Sequence, residues 1–259
     1  MSNSKMPVLF IGHGSPMNIV NHNTYTQSLQ TLGASLPKPE AILVISAHWL
    51  TQGTFVCSAD KPKQVYDFYG FPDELYKVPY HPPGAPSIAQ SIVHELRVEN
   101  IQIDSEWGID HASWAVLTHM YPKADIPVLE MSLDVTMNEQ EHYEVARKLS
   151  FLRKQNVIIM GSGNIVHNLH RMEYKENAEP YPWAVEFDTY IKDALLQNDI
   201  NRLLRYKELS PVGKIAVPTN DHYLPMLYSA ALREDGEQVD FFHESIQNAS
   251  ISMRCFIVQ

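Results

Sequence analysis

The sequence is poor in cysteine and in positive charge, and it has no long hydrophobic run. Cys57 and Cys255 are the only two cysteines in 259 residues. They are too few and too far apart in sequence for a disulfide framework or a thiolate metal site. Lys and Arg number 20 against 30 Asp and Glu, giving a net charge of −10. No basic run occurs, so a nucleic-acid surface, which needs clustered cations, is excluded. No segment approaches the roughly 18 apolar residues of a membrane span, and the opening MSNSKM leads into too short an apolar stretch for a signal peptide. A cytoplasmic protein with no membrane partner is the expectation. Internal repeats, low-complexity tracts and Gly- or Ser-rich linkers are missing too, which leaves one domain over residues 1–259 as the simplest organisation. Nor is there a P-loop, a GxGxxG turn or an HExxH helix.

What is present is apolar and periodic. Residues 7–11, 41–47, 127–133 and 156–162 are dense in Val, Ile and Leu without polar alternation, as in strands covered on both faces. Helical patterns lie between them, at 87–97, 136–155, 183–197 and 222–234. The second begins with an apparent capping box, Thr136 with Glu139, and Pro225 belongs in the first turn of the last. Alternating strands and helices predict an α/β fold with a mostly parallel central sheet flanked by helices. Residues 239–258 alternate better and predict C-terminal edge strands, paired as a hairpin.

Histidine is plentiful, with 12 residues. PVLFIGHGSP places His13 between two glycines after an apolar run, AILVISAHW places His48, NVIIMGSGNIVH leads to His167, and IAVPTNDH ends in His222. His111, in GIDHASW, is read as lying in a loop. Sites of open α/β sheets lie beyond the carboxyl ends of the strands, so strand-end histidines converge on one crevice, where neutral imidazoles could ligate a metal. The glycines of GSG at 161–163 read as room for a ligand beside His167. Such histidines could also simply cap strands or pair with carboxylates. His22, His81, His94, His119, His142, His170 and His243 are read as incidental.

GHGSPMN at 12–18, SAHW at 46–49, DFYGFPDELY at 67–76, GIDHASW at 108–114, GSGNIVHNL at 161–169 and PTNDHYLP at 218–225 together resemble the class III extradiol ring-cleaving dioxygenases. The resemblance is closest to their small single-domain DOPA 4,5-extradiol branch. It covers nearly the whole chain in order and implies one catalytic domain with one Fe(II) or Zn(II) ion per chain. It implies His13, His48 and His222 as ligands, and His167 as either a fourth ligand or the acid-base residue. His111 is implied as a contact to substrate or oxygen. The implied reaction opens a catechol such as DOPA with O₂ to give a muconic semialdehyde. The wider family completes its site with a carboxylate, and none stands at an obviously equivalent place here; Glu130, Asp134 and Asp221 are the candidates. The aromatic loop at 65–84 either packs on the core or walls the crevice, with Tyr69, Phe71 and Ser15 as expected substrate contacts. A zinc-dependent hydrolase using the same histidines is the alternative, and a monomer or small homo-oligomer is expected.

Overall fold

The four apolar runs all form strands, three within a residue of their expected bounds and one, the second, extending four residues further to Thr51. In the computed structural model, which describes residues 5–97 and 100–259, these are β1 (Val8–Gly12), β2 (Ala41–Thr51), β5 (Val128–Asp134) and β6 (Val157–Gly163). The first four residues of MSNSKM lie outside the described chain. Short strands β3 (Phe55–Cys57) and β4 (Gln102–Asp104) and the C-terminal β7 (Val239–His243) and β10 (Cys255–Val258) complete an eight-stranded sheet. Its order is β4-β3-β5-β2-β6-β1-β10-β7. The central pairs β5–β2, β2–β6 and β6–β1 are parallel, whereas β10 runs antiparallel to both β1 and β7. A separate two-stranded pair, β8 (Ile246–Gln247) with β9 (Ile251–Ser252), fills the excursion between β7 and β10.

Successive side chains of a strand point to opposite faces, and both faces here are apolar. Val8, Phe10, Leu43, Ile45, Val157 and Ile159 face one core, shared with helices Pro86–Glu95, Glu139–Lys148, Pro182–Gln197 and Leu224–Ala231. Leu9, Ile11, Ile42, Val44, Ile158 and Met160 face the other, shared with helices Thr24–Ser35 and His111–Met120. Each such side chain, removed from water, stabilises the fold by about 1.5–3 kcal/mol. No helix among the described residues is long and apolar enough to cross a membrane.

Two details differ from the sequence reading. The helix expected from Thr136 is capped by Asn138, which forms a reciprocal capping box with Glu141. Thr136 is occupied with Asp134, whose carboxylate accepts from its hydroxyl at 2.7 Å. The helix also breaks at Leu149 and Ser150 before a short turn of helix at Phe151–Lys154. Of the C-terminal strands only β7 is an edge, because β10 inserts between β7 and β1.

Candidate functional site

The carboxyl ends of β1, β2 and β6 deliver the first histidines. His13 follows β1 directly, its N–H donating to the Gly163 carbonyl at 3.1 Å, and Gly14 makes the bend with φ +62°. His48 lies inside β2, where the register against β5 slips between Ile45 and Leu50. Such irregularities re-aim side chains beside sites. Ser46 accepts the His48 N–H at 3.1 Å. His167 follows β6 by four residues and is anchored through its N–H to the Ala216 carbonyl at 3.0 Å.

His222 and His111 arrive by other routes. Gly213–Ala216 is a short helix, and His222 sits in the turn that opens helix Leu224–Ala231, where the Asn220 carbonyl accepts the Tyr223 and Leu224 N–H groups at 3.0 and 2.9 Å. The apolar run IAV, cut by Pro218, is too short to make a strand. His111 is the first residue of helix His111–Met120, capped by Asp110, which accepts from the Ala112 N–H at 2.9 Å.

The GSG glycines serve the His222 turn rather than a ligand. A Cβ on Gly161 would stand 2.2 Å from the Pro225 carbonyl oxygen, and one on Gly163 would stand 2.2 Å from that of His222. The room is filled by the chain's own backbone.

The five histidines meet in one place. The rings of His13 lie 5.1, 5.3 and 5.4 Å from those of His48, His222 and His111, centroid to centroid. His167 stacks on His222 at 3.5 Å with 9° between planes. Ligand nitrogens of His13, His48 and His222 all lie within 4.8 Å of one another, and the Nε2 atoms of His13 and His48 are 3.2 Å apart.

The second nitrogen of each ring shows what the first can do. Ser162 donates its hydroxyl to the Ala112 carbonyl at 2.7 Å, so at 3.1 Å it can only accept from His13 Nδ1–H. His222 Nδ1–H donates to Asp221 at 2.5 Å, and His48 Nδ1 is 3.1 Å from Asp67 Oδ2. Each ring, when neutral, therefore turns an Nε2 lone pair inward where a cation can take it; without one, the 3.2 Å between the Nε2 atoms of His13 and His48 fits a shared proton. This pairing of an inward lone pair with an outer hydrogen-bond acceptor is the arrangement of metal-binding histidines, and the donor set fits a metal ion.

The electrostatics agree. Burial, reinforced by the neighbouring histidines, holds His13 well below the usual histidine range, and burial with His222 does the same to His167. Both are neutral, as ligation and proton acceptance require. Burial first, then His48, lowers His111 to about 4. His48 is raised: burial opposes its charge, but Asp67 and Asp110 outweigh it. Burial works against the Asp67 carboxylate, yet His111 and His48 hold it below the ordinary range.

Asp67 was not visible as a site residue in the sequence. It accepts from both the N–H and the Nδ1 of His111, at 2.9 and 2.8 Å, besides facing His48. Its place in the aromatic loop, 44 residues before His111, gives no local signal. Replacing such a partner weakens metal sites by 10–100-fold. Asp67→Asn should therefore lower zinc affinity by about that factor in a chelator competition titration, and unchanged affinity would show that Asp67 has no hold on the centre.

The three candidate carboxylates have other tasks. Glu130 lies fully buried beneath the site, accepting from Trp107 Nε1 at 2.7 Å, the Asp110 N–H at 2.8 Å and the Ser113 hydroxyl. Burial raises its pKa to about 7. Asp134 binds Thr136, and Asp221 orients His222. Among the seven histidines read as incidental, buried His142 bridges the Tyr228 hydroxyl and the Asp134 carbonyl.

The centre opens into a cavity of about 540 Å³ whose lining includes all five histidines, Ser15, Phe68 and Phe71. Tyr69 does not reach it. The chain turns at Gly70, φ +76°, and leaves Tyr69 91% exposed, while its neighbour Phe68 meets His111 edge-on at 5.4 Å. The aromatic loop does both of its expected jobs, since Phe68 also packs on Tyr76 and Trp114 at 5.1 and 6.2 Å.

The chain is similar to known proteins along nearly all of its length. Residues 7–254 match the family described as the catalytic LigB subunit of aromatic ring-opening dioxygenase. A 4,5-DOPA dioxygenase extradiol of Escherichia coli (strain K12) is 43% identical over 257 residues, covering 98% of this chain and 94% of its own. One of Mirabilis jalapa is 34% identical over 241 residues, covering 91% and 90%. The crystal structure of an uncharacterized protein from Escherichia coli K12 superposes with a TM-score of 0.86 at 39% identity, covering 98% of this chain and 100% of the other. With its histidine centre, parallel sheet and matching span, the chain belongs to the LigB family of aromatic ring-opening dioxygenases.

Proposed function

We propose that residues 1–259 act as one catalytic domain, an extradiol dioxygenase that opens the ring of a catechol such as DOPA with O₂ and yields a muconic semialdehyde. The observation that supports this best is the convergence of the three inward Nε2 groups of His13, His48 and His222 on the floor of an aromatic-walled cavity. These residues would hold one Fe(II) or Zn(II) per chain. Such an ion would supply a common binding point for catechol and O₂, and iron would add the ability to pass electrons between them, which zinc lacks.

The protein's own groups supply position and protons. Phe68 and Phe71 offer ring faces and edges to an aromatic substrate. His167, neutral and lining the cavity, accepts a catechol hydroxyl proton and returns one to oxygen later in the reaction. His111, locked through Nδ1 by Asp67, keeps its Nε2 for the substrate or oxygen. The relatives named 4,5-DOPA dioxygenase extradiol are consistent with this substrate class.

The test is metal exchange. Protein stripped of metal and reloaded anaerobically with Fe(II) should consume O₂ when given DOPA or a simpler catechol, with a yellow semialdehyde or its cyclised form appearing. The zinc-loaded protein should be silent. Turnover with zinc and without O₂ uptake would replace this reading with a zinc-dependent hydrolase, and silence with both metals across a catechol panel would leave the fold without the activity.

A further inference from the structure

At the outer end of the cavity, away from the histidine floor, stands a carboxylate that the ring-opening chemistry does not use. Glu176 lines the cavity and accepts hydrogen bonds from three side-chain amides: Asn21 at 3.2 Å on Oε2, and Asn23 and Gln247 at 3.2 and 3.1 Å on Oε1. An ionised carboxylate only accepts, so these contacts fix the orientation of each amide. Gln247 then turns its oxygen to Asn18, which donates to it at 3.2 Å and to the His13 carbonyl at 3.4 Å. Asn18 and Gln247 are buried. An unbroken amide chain therefore ties the position of Glu176 to the backbone of His13.

Amides orient this carboxylate without neutralising it. Among the described residues no lysine or arginine lines the cavity, and the other acidic group there, Asp67, is already engaged by His48 and His111. The cavity thus has a floor that takes an aromatic ring and an outer end that presents one unneutralised negative charge, on a chain of net charge −10. We infer that Glu176 selects catechols that carry an ammonium group on their side chain, and that a carboxylate on that side chain adds nothing to recognition. This rests on the proposed catechol substrate and goes beyond it: a catecholamine with no carboxylate belongs to the substrate class as fully as an amino acid does, and a catechol with an anionic tail is disfavoured. Glu176 is exposed, and a charge pair at an exposed site gives about a two- to fivefold preference.

The experiment compares equilibrium binding of three catechols with tails of equal length, ending in an ammonium, a neutral hydroxyl or a carboxylate, to the zinc-loaded protein by calorimetry. Wild type should bind the ammonium compound about two- to fivefold more tightly than the hydroxyl compound and the carboxylate compound more weakly still. Glu176→Gln removes the charge at nearly the same shape, keeping an accepting oxygen for Asn23 and Gln247 while Asn21 must turn its own oxygen to the new amide, and should bind all three alike. Fe(II)-loaded protein should show the same ranking in KM with kcat unchanged. Equal affinity of wild type for the three tails overturns the inference with no variant needed, and so does an ammonium preference that survives Glu176→Gln. Binding of the hydroxyl compound shows whether the variant keeps its site. If that compound binds but is never cleaved by the Fe(II) protein, the ring-opening reading fails while the tail preference is still decided by the affinities.

Discussion

Replacing His167 by Gln should leave nearly a full equivalent of metal on the protein and reduce ring cleavage by about 10²–10⁴-fold, the range for loss of a general acid-base group. Replacing His13 by Ala should remove the metal itself. The difference follows from geometry. His13, His48 and His222 form one group of mutually close ligand nitrogens, and His13 Nδ1 is committed to Ser162, so its Nε2 is turned to His48 Nε2 and the middle of the group. His167 is stacked flat on His222, at the side of the group, lowered by burial and free to take a proton. Metal analysis and turnover on the two purified variants, with circular dichroism to confirm that both fold, give the answer. Equal metal loss in the two would make His167 a ligand first and a proton carrier second.

A second large effect is expected from a residue with no side chain. Gly163→Ala places a methyl 2.2 Å from the His222 carbonyl oxygen and 3.2 Å from Pro225 Cγ. The Asn164 N–H donates to that same carbonyl at 2.8 Å, so the turn cannot retreat without breaking it. Overpacking against backbone costs about 1–3 kcal/mol, which for a chain of this size lowers Tm by roughly 2–10 °C. Because the displaced atom belongs to His222, zinc affinity should fall at least about tenfold as well, by analogy with loss of an orienting partner. A thermal melt and a zinc titration of Gly163→Ala check both parts; an unchanged Tm would mean that the turn yields freely.

The same glycine shows where the sequence stops being readable. Strands β1, β2, β5 and β6 were legible because both of their faces are buried, which writes an unbroken apolar run. The convergence of His13, His48 and His167 followed from the ends of those runs. The placement of His222 was right in its destination and wrong in its route, since a three-residue apolar segment before a proline carries no periodicity with which to tell a strand from a turn. The motif GSG looked like ligand space because a missing Cβ says only that something comes close, and here that something lies some 60 residues further along the chain. Asp67 was hidden among aromatic residues in a loop without period, and its partners are fixed only by tertiary structure. Tyr69 and Phe68 are adjacent and chemically alike, so only the turn at Gly70 decides which of them faces the cavity.

The insertion of β10 between β1 and β7 also sets an order of events during synthesis. Residues 8–12 leave the ribosome early, but one of their two hydrogen-bonding edges is closed by residues 255–258, with Val8 opposite Val258. Until that stretch emerges, β1 has one open edge and is held toward His222 only through its pairing with β6. Pairings between chain positions this distant form late and slowly, and a nascent chain waiting for them exposes an apolar strand edge that invites wrong partners. The histidine centre is thus assembled only after most of the chain has been made, and metal delivered to a growing chain finds scattered imidazoles instead of a site.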